Sequence, residues 1–290
     1  MATADVERVL AFARRAEDLG FHGLFAFDHL FPPGAASDRP SLEAYATLAA
    51  VASSTSRVTL GTLVTRASLR SAGMLAKQVA TLDDVSRGRF VLGTGTGDAL
   101  GRAEHEVFGL PYLDPALRRE HLAESIRAVR ALLAGGPWAG SEHVPAVDGP
   151  LLPAPRTAGG PRIWVGGTSE GAVRVAAREA DGWNGWGLAA PVFAERARLL
   201  RTEAGGRAVE ATWGGAAVIG DDAADAERRV QDRRARGLEH AWGGSADDAV
   251  GWLADLRDAG ATWAIVLAAG SSDRVDLMAE RVLPGLRGAA

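Results

Sequence analysis

The sequence predicts an α/β protein, and more specifically a (β/α)8 TIM-type barrel. Short apolar segments alternate with amphipathic helical ones along the chain, and seven of them have the pattern of strands, near residues 23, 57, 89, 162, 182, 212 and 263. Strands that alternate with helices predict a parallel sheet, and strands that are apolar throughout predict burial of both faces. An open doubly wound sheet predicts the same alternation. The barrel is favoured because the units spread over about 250 residues without dividing into halves.

The first half of the chain begins with apolar residues at helical spacing, and Gly20 ends this run. The predicted strands near residues 57 and 89 flank a helical run, which predicts a βαβ unit. The later of these two strands passes into glycine–threonine alternation. The predicted elements are a helix at 3–19, a strand at 23–27, a helix at 42–53, the βαβ unit at 57–101 and a helix at 116–133.

The second half resumes the alternation after an irregular excursion at about 134–161, which is rich in proline and glycine. Patterned segments flank this excursion, so we interpret residues 1–290 as one barrel domain with an insertion. The predicted elements are strands at 162–165, 182–185, 212–219 and 263–267, and helices at 170–179, 191–203, after Asp221 or Asp222, at 246–259 and at 275–286.

Composition excludes several classes of function. A net charge of −4 disfavours nucleic acid or an anionic membrane surface as partner, because both need a basic face. The chain has no cysteine, which excludes disulfides, thiolate nucleophiles and cysteine-ligated zinc. No basic and apolar leader is visible, and no apolar run approaches the roughly 18 residues of a membrane span. We therefore expect a cytoplasmic protein that acts on a small molecule.

Ligands of parallel α/β folds bind at the carboxyl ends of the strands, so the strand ends are the candidate site. Most of these ends are rich in glycine or hydroxyl groups, which lets backbone N–H groups approach a ligand closely. They are Asp28-His29, Leu63-Val64-Thr65, Thr94-Gly95-Thr96-Gly97-Asp98, Gly166-Gly167-Thr168-Ser169, Trp183-Asn184-Gly185-Trp186 and Ala268-Ala269-Gly270.

The segment GTGTGDALG fails both common nucleotide fingerprints. The pattern G-x-G-x-x-G requires glycine where Asp98 or Leu100 stands, and no lysine follows for a phosphate-binding loop. A tight turn is the alternative interpretation of these glycines. The loop at 166–169 is the better anion site, because it opens a helix whose free N–H groups favour phosphate, although a plain helix cap explains it too.

Asp28 and His29 place a carboxylate and an imidazole at one strand end, and histidine is well suited to proton transfer near neutral pH. A packed or solvated histidine is the alternative. The remaining histidines show no H-x-x-x-H pair, so no metal site is predicted, and no G-x-S-x-G motif indicates a serine hydrolase.

Long stretches of the sequence resemble the luciferase-like monooxygenase superfamily, and within it the branch that depends on the deazaflavin coenzyme F420. The matching segments are AEDLGFHGLFAFDHLF, ATLAAVASSTSRVTLGTLVT, AKQVATLDDVSRGRFVLGTGTGDAL, EVFGLPY, PRIWVGGTSEGAVRVAAREADGWNGWG and GSADDAVGWLADLRDAGATWAIV. They cover nearly the whole chain in the family's order. The resemblance implies a (β/α)8 barrel, an oxidoreductase that exchanges a hydride between F420 and a small organic substrate, and a homodimer.

The resemblance also implies roles for particular residues. His29 and Asp98 are the implied catalytic pair for proton transfer, with no role assigned to one or the other. Leu63-Val64 falls where the family has a non-prolyl cis peptide beneath the cofactor ring. The implied cofactor-binding residues are Asp28, His29, Leu63, Val64, Thr94, Gly95, Thr96, Gly97, Gly166, Gly167 and Thr168.

Several positions depart from the family pattern. Asp98 is one methylene shorter than the glutamate of the F420-dependent glucose-6-phosphate dehydrogenases, and Gly101 replaces a side-chain amide near the ring. Lys77 is the only lysine, so the lysines that hold a sugar phosphate have no counterpart and glucose 6-phosphate is not expected as substrate. Arg66 and Arg70 lie near the strand ends and could contact the acidic tail of the cofactor, but we expect them to be solvated surface residues. The family begins with a strand before its first helix, whereas this chain begins in the helix, which predicts a barrel lacking its first strand.

Two alternatives stay open at this point. An FMN-dependent monooxygenase of the same superfamily would use oxygen and a partner reductase. A non-catalytic relative would bind a flavin-like ligand or a partner without turnover.

Overall fold

Nine parallel strands form one sheet in the computed structural model, which describes residues 5–32, 40–269 and 273–287. Apolar and β-branched residues dominate most of them, as expected for strands covered on both faces. The strands are β1 Gly23–Ala26, β2 Thr59–Thr62, β3 Thr65–Arg66, β4 Phe90–Gly95, β5 Arg162–Gly166, β6 Gly182–Trp186, β7 Glu210–Gly220, β8 Trp242–Ser245 and β9 Trp263–Ala268.

Helices alternate with the strands, and several begin at a side chain that accepts a backbone N–H bond, including Asp5, Ser71, Ser169, Asp222 and Ser245. None of the described helices is long and apolar enough to cross a membrane. The helices are α1 Val6–Asp18, α2 Ala44–Ser54, α3 Ala72–Val85, α4 Arg102–Val107, α5 Pro115–Leu133, α6 Glu170–Glu179, α7 Ala190–Ala204, α8 Ala223–Ala235, α9 Ala246–Asp258, α10 Asp273–Leu277 and α11 Leu283–Arg287, the last two joined by a π-helical turn at Met278–Val282.

The sheet runs in the order β1-β2-β4-β5-β6-β7, and both β8 and β9 pair with the long strand β7. Among the described residues, no strand pairs with the outer edge of β1 or of β9. Both strands line one apolar cavity of about 950 Å³, which α1 also lines. The expected opening of the barrel therefore lies between β1 and β9.

The seven strands that the sequence predicts are all present, but the count of seven is wrong. β3 is a two-residue strand directly after Leu63-Val64, too short to stand out in a pattern. β8 has the sequence WGGS, in which two glycines hide the strand signal. Its backbone pairs with β7 from Ala217 to Gly220, so tertiary pairing and not local preference creates this strand.

Three aromatic rings pack together inside the barrel and connect the first and last strands of the sheet. Phe25 of β1 stacks on Trp164 of β5 with ring centroids 5.5 Å apart, and Trp263 of β9 packs edge-on against both, at 6.2 and 5.9 Å. The strand glycines Gly23 and Gly182 make room for them, because a Cβ at either position would lie within 3 Å of a tryptophan ring. The rings hold β1 and β9 on a common core although the two strands are not paired.

The excursion at 134–161 is irregular, as its composition predicts. Its one regular contact among the described residues is the antiparallel bridge between Trp138 and Val147. It is also attached to α3, because the carboxylate of Asp83 accepts bonds from the N–H of Thr157, at 2.6 Å, and from its hydroxyl, at 2.9 Å.

The carboxylate of Glu17 fixes the entry into β2. It accepts bonds from the N–H groups of Ser56, Arg57 and Val58 at 3.0, 2.6 and 3.0 Å, and Glu17 is only 8% exposed. Burial by itself raises the pKa of Glu17, but the three N–H bonds outweigh it and lower the pKa to about 2. The ionised carboxylate thus joins the end of α1 to the start of the neighbouring strand.

Replacing Glu17 by glutamine is expected to lower the free energy of unfolding at pH 7 by about 2 kcal/mol, because charge-assisted bonds are lost. A folded-state pKa below the unfolded value gives stability that is present above the unfolded pKa and is lost as the pH falls toward 2. In urea unfolding, the difference between wild type and E17Q should therefore shrink between pH 5 and pH 3. D18N, at the exposed neighbouring residue, is the control, and a difference independent of pH would contradict the assignment.

Candidate active site

The strand register places the predicted ligand residues side by side at one edge of the sheet. Thr65 lies beside Thr94, Gly95 beside Gly166, and Gly166 beside Asn184. All strands are parallel, so this row is their carboxyl edge, where ligands of such folds bind. The structure therefore brings together the segments 63–64, 94–97 and 166–168 that the sequence singles out.

A cis peptide joins Leu63 and Val64, as the family resemblance predicts. It lies between β2 and β3, and the Val64 side chain covers the ends of the neighbouring strands. A Cβ atom added at Gly95 or Gly166 would lie only 2.9 or 2.7 Å from the Val64 methyl groups. The glycines at these strand ends are thus required for the packing of Val64.

The hydroxyl groups of this edge are partly used by the protein itself. Thr94 is buried and its hydroxyl donates to the carbonyl of Thr65 at 3.1 Å. Thr96 is half-buried and donates to the carbonyl of Gly97 at 3.1 Å. Thr94 therefore joins β3 to β4, while Thr96 lies where β4 ends.

The loop after β5 forms the start of α6. Gly167 has a φ of 147°, and its carbonyl accepts a 2.7 Å bond from the indole N–H of Trp183. The Ser169 hydroxyl caps α6, and the guanidinium of Arg196 bonds the carbonyl of Thr168 at 3.3 Å. Arg196 also forms ion pairs with Glu195 at 3.2 Å and with Glu170 at 3.7 Å, so the N–H groups of the helix start are the feature that favours an anionic group.

Asp28 is almost fully buried at the end of β1, with 1% exposure. Its two oxygens accept bonds from Arg70 at 2.5 and 3.1 Å, and Arg70 also bonds Glu43 at 2.6 Å. The guanidinium lies 4.5 Å from the ring centre of Tyr45. The expectation of a solvated Arg70 is wrong, because Arg70 is the counter-ion of a buried carboxylate.

His29 lines the large cavity, and its partner is Glu104 of α4. The distance from His29 Nδ1 to Glu104 Oε1 is 2.6 Å. The other oxygen, Oε2, accepts from the N–H of Leu30 and from Arg66 Nη2, each at 2.6 Å. The Glu104 side chain is 1% exposed, so a buried carboxylate is fully engaged by three donors.

Several partners determine the protonation state of Glu104. Burial raises its pKa, but the bonds from His29 and the Leu30 N–H, together with the charge of Arg66, bring the pKa below its usual value. Glu104 is therefore ionised at neutral pH.

Arg66 is buried as well, so its expected place on the solvated surface is wrong. Besides Glu104, it bonds the carbonyl of Gly101 at 3.1 Å. A Cβ at Gly101 would collide with Arg66 Nη1, and one at Gly97 would lie 2.7 Å from its Cδ. Gly101, a departure from the family pattern, is thus the residue that leaves room for the guanidinium.

Asp98 lies apart from this network. It is exposed, and its side chain accepts a 3.3 Å bond from the N–H of Gly101, capping the 3₁₀ turn Ala99–Gly101. No hydrogen bond or ion pair of the described chain joins it to His29. The carboxylate bonded to His29 is Glu104, which the sequence reasoning missed. The only feature of the sequence that could have indicated Glu104 is its position on a helix shortly after the glycine-rich end of β4.

Metal ligands are not gathered at this edge. Within residues 5–32, 40–269 and 273–287, no group of three histidine or carboxylate side chains is arranged to hold a metal ion.

The fold and this edge define an α/β-barrel protein whose polar and glycine residues gather at the carboxyl ends of its strands. A family profile described as luciferase-like monooxygenase matches residues 1–284, and the chain belongs to this family.

Relatives of known function include F420-dependent enzymes. An F420-dependent glucose-6-phosphate dehydrogenase of Beutenbergia cavernae is 33% identical over 182 residues, which are 60% of this chain and 51% of that protein. An F420-dependent hydroxymycolic acid dehydrogenase of Mycobacterium tuberculosis is 32% identical over 185 residues, 61% of this chain and 48% of the relative. The chain matches about half the length of these relatives.

Solved structures show the same fold. An F420-dependent secondary alcohol dehydrogenase in complex with an F420–acetone adduct superposes with a TM-score of 0.84 at 18% identity, covering 97% of this chain and 95% of that one. The coenzyme F420-dependent tetrahydromethanopterin reductase of Methanopyrus kandleri gives 0.79 at 18% identity, covering 98% and 97%. The predicted barrel class is confirmed.

Replacing Gly166 by alanine is expected to lower the free energy of unfolding by about 1–3 kcal/mol, because the new methyl group collides with Val64. In the double variant G166A/V64A the loss should be smaller than the sum of the single losses, by roughly 1 kcal/mol. Denaturant unfolding of the three variants measures this coupling. G251A is the control, since a Cβ at this exposed position of α9 meets nothing and should be neutral or stabilising. Strictly additive losses at 64 and 166 would contradict the contact.

Proposed function

We propose that this protein is an F420-dependent oxidoreductase that transfers a hydride between the deazaflavin and a small organic substrate, either an alcohol and its carbonyl or an activated alkene. The observation that carries the proposal is the His29–Glu104 pair at the carboxyl edge, in which the buried carboxylate bonds an imidazole that lines the cavity. The F420-dependent relatives support the choice of cofactor.

The residues of the edge fit such a cofactor. The strand ends at Gly95 and Gly166 carry no side chains of their own, and Val64 provides an apolar surface above them. The N–H groups at the start of α6 suit an acidic portion of the cofactor. We assign the ring to the surface at Leu63-Val64, the wall to residues 94–97, and the anionic portion to residues 166–168.

F420, when bound, supplies the carbon that accepts or donates the hydride. The protein must then move a proton, because oxidation of an alcohol releases the hydroxyl proton and reduction of a carbonyl consumes one. His29 is the group we assign to this proton, since its second ring nitrogen has no bonding partner among the described residues. Asp98 is the second candidate, and its side chain is exposed. A cytoplasmic homodimer is part of the same proposal.

The choice of cofactor is tested by titrating the purified protein with F420 and with FMN. We expect saturable binding of F420, measured through the fluorescence of the cofactor, and much weaker binding of FMN. Tight FMN binding without F420 binding would refute the proposal in favour of a flavin-dependent monooxygenase.

Replacing His29 by alanine is expected to lower kcat by about 10²–10⁴-fold, the usual contribution of a positioned acid–base group. Turnover is measured with reduced F420 against a panel of ketones and activated alkenes, and with F420 against the alcohols. His240→Ala, in the loop before β8, is the matched control. Equal activity of H29A and wild type would exclude His29 as the proton-transfer group, and no turnover of wild type with any of these compounds would favour a non-catalytic relative.

A further inference from the structure

We infer that Glu104 is the positioning residue of this site: it holds His29 in the tautomer that carries the proton on Nδ1, and Arg66 holds Glu104 in place for this task. Nε2 is then the ring atom that exchanges protons at the cavity. The catalytic meaning of this inference rests on the proposed function, but the tautomer is a property of the protein alone.

The hydrogen bonds of Glu104 give the direction of the His29 bond. Glu104 Oε2 accepts from Leu30 N–H and from Arg66, so the carboxylate is held in a fixed orientation with Oε1 directed to His29. An ionised carboxylate only accepts hydrogen bonds, and the 2.6 Å separation therefore requires a hydrogen on Nδ1. In neutral imidazole the other nitrogen, Nε2, is then an acceptor.

The orientation of the ring agrees with this assignment. The His29 side chain is 23% exposed and lines the cavity, while Glu104 is 1% exposed behind it. No described hydrogen bond uses Nε2. The carboxylate thus lies on the protein side of the ring and the free nitrogen on the cavity side.

The other ionisable groups near His29 are bonded elsewhere, so Glu104 is the carboxylate that bonds the imidazole. Asp28 is adjacent in the chain, but both of its oxygens are occupied by Arg70. His105, the next residue of α4, bonds the carbonyl of Pro111 through its own Nδ1. Neither group competes for the His29–Glu104 bond.

Arg66 is placed for Glu104 at a cost to its own bonding. Its Nε is buried without a hydrogen-bond partner, which is unfavourable for a guanidinium. Space for the side chain exists only because residues 97 and 101 are glycines. Burying Arg66 requires two glycines and leaves one of its N–H donors unpaired, so the burial itself does not stabilise the fold. Its effect is to hold the carboxylate of Glu104 in a fixed position.

A merely structural Glu104 would join α4 to the loop after β1 and have no influence on the imidazole. The two roles differ in the tautomer of His29, which ¹⁵N NMR distinguishes through the shifts of the two ring nitrogens. The chain has six histidines, so a ¹⁵N-histidine-labelled sample gives a spectrum in which His29 can be assigned by comparison with H29Q.

The experiment compares wild type, E104Q and G101A without cofactor, at a pH where histidine is neutral. Wild-type His29 should be in the Nδ1–H tautomer. In E104Q the ratio of the Nδ1–H tautomer to the Nε2–H tautomer of His29 should fall by about tenfold or more. The glutamine side chain has a single oxygen, which can accept either from His29 or from Leu30 and Arg66 but not from both sides. G101A keeps the carboxylate and displaces Arg66, so it should cause a smaller shift in the same direction. G101A also keeps the test valid if E104Q does not fold.

The control is E106Q, at an exposed glutamate on the same helix α4, which should leave the His29 signals unchanged. Unchanged signals of His22, His121, His143 and His240, which are distant in sequence from Glu104, show that a variant is folded. With a turnover assay in hand, E104Q should lower kcat by about 10- to 100-fold and change KM less than about threefold.

Two results would overturn the inference: an Nε2–H tautomer of His29 in wild type, or wild-type His29 signals in both E104Q and G101A. Neither depends on which cofactor binds. A protein that fails to bind F420 but shows the expected tautomer shifts would refute the proposed function and leave the role of Glu104 intact.

Discussion

The buried carboxylate of Glu104 is the constraint around which the candidate site is arranged. A charge this deeply buried is tolerated only when donors surround it, and the donors come from the loop after β1 and from β3. Three segments distant in sequence must therefore meet at one point. The position of His29, the path of the chain past Leu30 and the burial of Arg66 all follow from satisfying that one group.

Small residues and large ones are matched across the same edge. Val64 occupies the space that Gly95 and Gly166 leave open, Arg66 occupies the space beside Gly97 and Gly101, and Trp164 lies against Gly182. The glycines at the strand ends therefore have two effects. They leave room for bulky neighbouring side chains inside the barrel, and they keep the backbone of this edge accessible. The glycine–threonine run at the end of β4 thus packs against Val64 and Arg66 and matches no nucleotide fingerprint.

Local pattern was sufficient for most of the fold and for part of the site. Seven strands carry apolar runs that reveal them, whereas β8 exists through its pairing with β7 and has no such run. The grouping of residues 63–64, 94–97 and 166–168 followed from the parallel sheet, and the cis peptide followed from the family resemblance. The His29–Glu104 pair spans 75 positions, and no periodicity relates residues so far apart. Arg66 resembled a surface residue because the space that buries it belongs to glycines 31 and 35 positions later.

The opening between β1 and β9 affects where local unfolding of the sheet begins. Among the described residues β1 pairs on one side only, with β2. A strand paired in this way has half the backbone bonds of a central strand, so local unfolding begins there more readily than at β5 or β6. His29 lies three residues after the end of β1, whereas Glu104 lies on α4 and is bonded to Arg66 of β3. Fraying of β1 would therefore carry the imidazole away from a carboxylate that stays in place. The local stability of β1 thus sets the fraction of time for which the contact between His29 and Glu104 is formed.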